Sequence, residues 1–532
     1  MKINGNVADL VLAQLAEWGV QRIYGVAGDA VFPLLDAMSR QDRIAFIATV
    51  HESGASFAAS YEAALTGAPA VCAGTCGPGA VNLLNGLADA YVEKHPVLAL
   101  TGQVATQKTG PGTPQYFDQQ AVYRNFAECT CLLADPAATV DFLLAAFRKA
   151  VLTSSVVHLS LPKDILSAPV SADTCPAGAV QVTGPSPTCG DLPGVVSAVR
   201  SAHRPLVVMG RQARKVTDRV LRLAYILGAG LVLAQEAKGA VPGDHELNLG
   251  GVGEALLPPV VTEADCIVLI GGAPYEQPYF PPGAALVHLA ERPGHLRRSV
   301  AAGAVGDLGL MLETVCRGLE NHAPNRDWLD RVKAAAGTRP PDVPVAPGPM
   351  HPLHLMEELD KAIPEDAVIS LDVGEFIHWF DRGFAGRRQD VLLSGQWECI
   401  GAGLPAAIGA KLACPDRTVV AVVGDGGFLL SMAELLTCVR YNVAVPVIVV
   451  KNGQYSLERN KMVAGKLNPF GIDLQNPDFV QFARACGAEG FRVEDITGIK
   501  DVLGAALGLG KPALIEVPAA AVDLPQTMPP WS

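Results

Sequence analysis

Val422-Val423-Gly424-Asp425-Gly426-Gly427 closes an apolar run, Val419 to Val423, with a glycine turn that carries one carboxylate. The run reads as a buried parallel strand. The turn lets backbone approach a phosphate closely. Ser431 to Val439 reads as a helix and Val445 to Val450 as a second buried strand, with Asn452 just past its end. Two neighbouring strands then end with a carboxylate and a carboxamide at one rim. Hard oxygen donors beside phosphate-cradling glycines suit Mg²⁺ holding a diphosphate. A βαβ unit with an ordinary glycine turn fits this stretch equally well.

The same alternation runs outward through the chain. The first part has apolar runs at Arg22 to Val26, Phe46 to Val50, Ala70 to Ala73, Val97 to Leu100 and Val156 to Leu161. The second has Pro205 to Met209, Gly230 to Ala234, Cys266 to Ile270 and Ala285 to Leu289. The third adds Ala367 to Leu371 and Ala513 to Val517 to the two strands above. Pro/Gly-rich stretches at Cys175 to Pro193 and Thr338 to Pro352 separate the parts. Strands alternating with helical patterns mean parallel sheets covered on both faces. The expectation is an α/β protein of three doubly wound parallel-sheet domains, at residues 1–175, 190–337 and 352–525.

Composition limits the partners. Of 532 residues, 49% are hydrophobic, enough for several large cores. The net charge is −12 without a polybasic cluster, which argues against nucleic acid and anionic membrane. The longest uncharged stretch, Ala64 to Ala88, is broken by glycines and reads as strand and turn, not as a membrane span. The N-terminus runs into a helix pattern without signal-peptide architecture. Twelve scattered cysteines read as reduced thiols of a cytoplasmic protein.

Glu52 follows the run ending Thr49-Val50 and opens a small-residue helix, where the helix dipole favours a carboxylate. With its neighbours the chain resembles the thiamine-diphosphate-dependent family of pyruvate oxidase and acetolactate synthase. The matching segments are Gly25-Val26-Ala27-Gly28-Asp29, His51-Glu52, Cys76-Gly77-Pro78-Gly79, Pro96 to Gln103, Gly403 to Ala410, and Gly424-Asp425-Gly426 with Asn452. They keep the family's order over nearly the whole chain. Asn476-Pro477-Asp478-Phe479 is most similar to the bacterial pyruvate oxidase branch.

The resemblance implies roles. Asp425, Asn452 and the backbone carbonyl of Gln454 would hold Mg²⁺, although Lys451 stands where the family usually has a first Asn. Gly424, Gly426, Gly427 and Tyr455 would surround the diphosphate end of the cofactor. Glu52 would hydrogen-bond the pyrimidine nitrogen, so that the cofactor's own amino group removes the thiazolium proton. Ile400, in Trp397-Glu398-Cys399-Ile400-Gly401, would wedge the cofactor into a bent shape, with the backbone of Glu398 and Cys399 facing the aminopyrimidine. The implied reaction is decarboxylation of a 2-oxo acid and transfer of the acyl carbanion to an acceptor, by carboligation or oxidation.

Two segments depart from the pattern. Phe117-Asp118-Gln119 stands where pyruvate-using relatives carry Phe-Gln-Glu, so these three are the candidate substrate residues with the substrate itself open. The middle part carries Lys238-Gly239 and Leu249-Gly250-Gly251-Val252-Gly253, partly like FAD-bearing relatives, but has Ala290 where Asp is usual, which leaves FAD in doubt. A non-oxidative decarboxylase and a catalytically silent cofactor-binding protein are the alternatives. A nicotinamide dehydrogenase lacks a GxGxxG opening a βαβ unit. One cofactor must touch Glu52 and Asp425, and in the family these come from different subunits. A homodimer is therefore the minimum and a homotetramer is expected.

Overall fold

The structure, a computed structural model, describes residues 1–180, 189–251, 258–272, 281, 283–291, 300–337, 343, 348–493 and 495–523. Val252, Gly253 and, within the two Pro/Gly-rich stretches, residues 181–188, 338–342 and 344–347 lie outside them.

Three sheets follow one another along the chain. The first is built from Arg22–Gly25, Ala45–Ala48, Ala70–Gly74, Val97–Gln103, Cys129–Leu132 and Val156–Pro162. Numbered in chain order within the sheet, they lie 2-1-3-4-6-5, all parallel. The third uses Val368–Leu371, Asp390–Leu392, Val419–Gly424, Pro446–Lys451, Glu489–Arg492 and Ala513–Pro518. Its order is the same 2-1-3-4-6-5, again parallel throughout. The middle sheet has Pro205–Met209, Gly230–Leu233, Asn248–Gly251, Cys266–Ile270, Ala285–Ala290 and Ala302–Val305 in the order 3-2-1-4-5-6. A short antiparallel strand, Cys189–Gly190, pairs with its edge.

The central strands are buried along their whole length, as Ala70–Gly74, Val97–Gln103 and Cys266–Ile270 show. A strand covered on both faces needs no alternation, so continuous Val/Ile/Leu runs are what its environment selects. Lys2–Asn6 is a strand paired antiparallel with Pro169–Asp173, and it runs directly into helix Val7–Glu17. One local reading changes. The helix expected from Ser431 begins at Asp425 and runs to Ser431, followed by a tight turn and a helix Leu435–Arg440. The glycine segment is therefore the first turn of a helix, with Asp425 at its positive end.

The first and third domains pack directly. Helix Glu52–Thr66 packs on helix Gly403–Ala413, with Phe57 and Tyr61 buried in one cluster with Ala406, Ala407 and Ala410. A Cβ on Gly409 would stand 2.1 Å from the Ala58 carbonyl oxygen, so the helices meet backbone to backbone there. This contact sets the position of Glu52, one turn before Ser56, relative to the third domain.

Candidate functional site

In a sheet of order 2-1-3-4-6-5 the chain leaves to opposite sides after strands one and three, and ligands bind beyond the carboxyl ends at that reversal. In the third domain those ends carry Asp372 and Asp425. Asp425 is 2% exposed. Its Oδ1 accepts from the Gly426 amide at 3.0 Å, and its Oδ2 accepts from the Gly453 amide at 2.7 Å and Asn476 Nδ2 at 2.6 Å. Asn452 Oδ1 accepts from the Gln454 amide at 3.2 Å, and Asn452 Nδ2 donates to Ser456. The Gln454 carbonyl accepts from the Ser456 amide. The carboxylate of Asp425 thus closes onto the turn that carries Asn452 and Gln454.

Burial pushes the Asp425 carboxyl above its usual range, against the Gly453 amide and the Asn476 side chain, which pull it down. A cation is the partner that removes this cost. Among the described residues no three His, Cys, Asp or Glu side chains converge. The donor set is one carboxylate, one carboxamide and one carbonyl, which fits a hard cation that keeps other oxygens from phosphate. Gly426 lies under the Tyr455 ring, where a Cβ would be 2.5 Å from Cε1, and a Cβ on Gly427 would be 2.3 Å from Asp372 Oδ2. Lys451 turns away from this turn and pairs with Glu516 at 3.0 Å, its ammonium 5.5 Å from the Phe479 ring centroid.

Asp372 was not among the expected residues. It is 1% exposed, and both oxygens accept from the Gly401 amide, at 3.0 and 3.1 Å. It thereby fixes the loop that ends in Glu398-Cys399-Ile400-Gly401. Glu398 has φ +52° and Gly401 +88°. A left-handed non-glycine residue is held only where its surroundings demand it. Glu398 is exposed; Cys399 and Ile400 are half-buried, and Ile400 packs on the third domain's core. Burial pushes the Cys399 thiol up to about 11, so it stays protonated.

In the first domain Glu52 starts its helix behind His51, which caps Ser53. Its carboxylate is 9% exposed, and Oε2 accepts from Asn82 Nδ2 at 3.0 Å. Glu434 of the third domain accepts from the Val50 and His51 amides at 3.2 and 3.0 Å, which seats this junction. The Cys76-Gly77-Pro78-Gly79 turn lies beside it: a Cβ on Gly79 would be 3.1 Å from Glu52 Oε1. The loop that leads to the substrate candidates meets that turn through Gln115, whose Oε1 accepts from Cys76 Sγ at 3.2 Å. Phe117 is half-buried and its carbonyl accepts from Gln103 Nε2. Asp118 is exposed and caps the helix Gln119–Tyr123 through the Ala121 amide. Gln119 is turned inward and has no exposed surface: its Oε1 accepts from Thr101 at 2.6 Å and Ser160 at 2.7 Å, and its Nε2 donates to the Gly102 carbonyl. A side chain so committed cannot reach a substrate in this conformation.

The middle sheet's order is that of dinucleotide-binding folds, with the reversal between Pro205–Met209 and Cys266–Ile270. There the Gly210 amide donates to the Ile270 carbonyl, the Arg211 amide to the Gly272 carbonyl, and Gln212 Oε1 accepts from the Gly272 amide at 2.6 Å. The amides a pyrophosphate would use are occupied and a side chain spans the crevice. The described residues there do not fit FAD bound in that manner.

Three domain families match in chain order: the thiamine pyrophosphate enzyme N-terminal TPP binding domain at residues 5–122, the central domain at 193–315 and the C-terminal TPP binding domain at 372–517. The Bacillus subtilis protein YdaP, described as thiamine pyrophosphate-containing, is 30% identical, covering 94% of this chain and 90% of its own. A catabolic acetolactate synthase of Raoultella terrigena is 29% identical over 98% of this chain and 96% of its own. A pyruvate oxidase of Lactiplantibacillus plantarum is 27% identical over 95% and 87%.

Proposed function

The chain belongs to the thiamine pyrophosphate enzyme family, and on that premise we propose that it is a thiamine-diphosphate- and Mg²⁺-dependent decarboxylase of a 2-oxo acid. The acyl carbanion passes to an acceptor, as in carboligation of the acetolactate-synthase type or oxidation of the pyruvate-oxidase type. The observation that carries this reading is Glu52, a 9% exposed carboxylate set at a helix start and oriented by Asn82. A protein that only stored the cofactor would have no use for an acid held there.

Thiamine diphosphate supplies, when bound, a carbon nucleophile and a sink for the electron pair freed by loss of carbon dioxide. Asp425, Asn452 and the Gln454 carbonyl would hold Mg²⁺, and Gly426 and Gly427, without side chains, would let the diphosphate approach the helix N-terminus closely. Glu52 would share a proton through Oε1 with a ring nitrogen of the cofactor, while Asn82 fixes Oε2. Ile400, Glu398 and Cys399 set the shape of the cofactor's pyrimidine end. Phe117 and Asp118 face the acceptor side, and Gln119 holds their loop from behind. The occupied crevice of the middle domain favours carboligation or simple decarboxylation without flavin over oxidation.

Glu52→Gln keeps the hydrogen bond to Asn82 but cannot share its proton. It is expected to bind thiamine diphosphate and to lose about a hundredfold or more in carbon dioxide release across a panel of 2-oxo acids. Wild-type rates in this variant would refute the mechanism. Flavin bands in the visible spectrum of the purified protein would return the reading to oxidation.

A further inference from the structure

Helix Leu84–Glu93 of the first domain presents Asn85, Asp89 and Glu93 at intervals of four residues, a single stripe along one face. Each member meets a different point of the loop Ser394 to Ile400 of the third domain. Asn85 Oδ1 accepts from Trp397 Nε1 at 3.0 Å, and its Nδ2 donates to Cys399 Sγ at 3.2 Å. The Ser394 hydroxyl bonds Asp89, and its oxygen also accepts from the Cys399 amide at 3.0 Å. Glu93 Oε1 accepts from the Gln396 amide at 2.5 Å. The Phe126 ring meets Trp397 edge-on, centroids 6.1 Å apart. Asp89 and Glu93 are 0% and 6% exposed, an expensive placement for carboxylates that only bridge a surface.

The middle domain closes the third side. Glu236 and Glu93 face one another across Gly395, where a Cβ would lie 3.7 Å from Glu236 Oε2 and 3.9 Å from Glu93 Oε1. Arg211 pairs with Glu236 at 3.3 Å, donates to His95 Nε2 at 2.5 Å, and donates to the Ala64 carbonyl at 2.7 Å. The guanidinium bonds one of the three buried acids, Glu236, and ties it to His95 and to the Ala64 carbonyl. Burial and repulsion from neighbouring acids push Glu93 well up and Asp89 to about 7, burial raises Glu236, and burial lowers His95. A protonated Glu93 keeps its carbonyl oxygen for the Gln396 amide.

We propose that Asn85, Asp89 and Glu93 are positioning residues for the cofactor: they hold the loop Ser394 to Ile400 so that Ile400 and the Glu398 backbone present a preformed bend to the aminopyrimidine. The middle domain's part in catalysis is then mechanical, to back this stripe through Arg211 and Glu236. The inference rests on the reading of Ile400 as the cofactor wedge.

Two readouts test it in the intact protein. One is the half-saturating concentration of thiamine diphosphate with Mg²⁺, followed by near-ultraviolet circular dichroism. The other, taken without cofactor, is acrylamide quenching of Trp397, assigned by difference from Trp397→Phe. Glu93→Ala should raise half-saturation about tenfold, the equivalent of one lost buried hydrogen bond, and make Trp397 more quenchable. Glu93→Gln, whose amide oxygen still accepts from Gln396, should stay near wild type in both. Ser394→Ala, which cuts the Asp89 link and the acceptor of the Cys399 amide, reads the same effect if Glu93→Ala does not fold. Unchanged half-saturation, unchanged quenching, or a Glu93→Gln as impaired as Glu93→Ala would each overturn the proposal. A wild-type protein that fails to bind thiamine diphosphate defeats the family mechanism instead, and the quenching result stands apart from it.

Discussion

Asp372 and Asp425 stand at the ends of adjacent strands, yet burial is answered differently at each. Asp425 has a place for a cation beside it. Asp372 has only backbone: Val373 and Gly401 amides bond its Oδ1 at 2.8 and 3.0 Å, and burial still pushes it to about 7. Its unfolded value is about 3.9. Between those two values the folded chain retains a proton that the unfolded chain has released. The stability that this proton lends is complete below about pH 4, falls as pH rises through the window, and is gone above about 7. Asp372→Asn keeps an oxygen for both amides and cannot titrate. Its unfolding free energy should lack a wild-type decline on the order of 4 kcal/mol between about pH 4 and 7. Urea melts of both proteins at a series of pH values check this, and parallel curves would assign the pH dependence elsewhere.

At the scale of elements, the crossing of Glu52–Thr66 with Gly403–Ala413 opposes intrinsic helix propensity. Gly409→Ala would favour an isolated helix by about 1 kcal/mol. Here the added Cβ meets a backbone oxygen at 2.1 Å, so the helices must part. The expected outcome is a net loss of about 2 kcal/mol, seen as a lower melting temperature. Gly504→Ala, in helix Ile499–Gly508 with nothing within 4 Å, should gain up to about 1 kcal/mol, and opposite signs at the two sites would identify packing as the cause. The same contrast explains what could be read in advance. Pro205–Met209 and Cys266–Ile270 were legible to the residue because interior strands need apolar side chains on both faces. Cys129–Leu132, Asp390–Leu392 and Glu489–Arg492 were not, because an edge strand tolerates polar residues and leaves no continuous run. Glu52, Asp425 and Asn452 stood out because each sits at a strand end beside glycines. Asp372, Asn476 and Glu93 did not, because their roles exist only across the fold: the Glu93–Gln396 bond spans 303 positions.

At the scale of the whole molecule, the proposed function makes Glu52 and Asp425 the centres of two half-sites, and apolar side chains are left in water beside both. Val50 and Val81 flank Glu52 and Asn82 and are 43% and 49% exposed. Leu430 and Leu436, just past Gly426 and Gly427, are 62% and 45% exposed. Apolar residues beside a catalytic acid and beside a diphosphate turn are what a second copy would cover while bringing its Glu52 to this chain's Asp425. The expectation is a dimer at least, with a cofactor shared across the interface. Leu430→Glu puts a charge into that contact; because Leu430 also lies against Gly401, the rate is read against the fraction of assembled protein. It should sediment as a monomer at concentrations where the wild type does not, keep its circular dichroism, and lose carbon dioxide release in proportion to the monomer present. Raising its concentration should restore both assembly and rate together, because only the pair completes a site. A monomer of Leu430→Glu with the full wild-type rate would show that one chain brings Glu52 to its own cofactor, and the shared-site arrangement would fall.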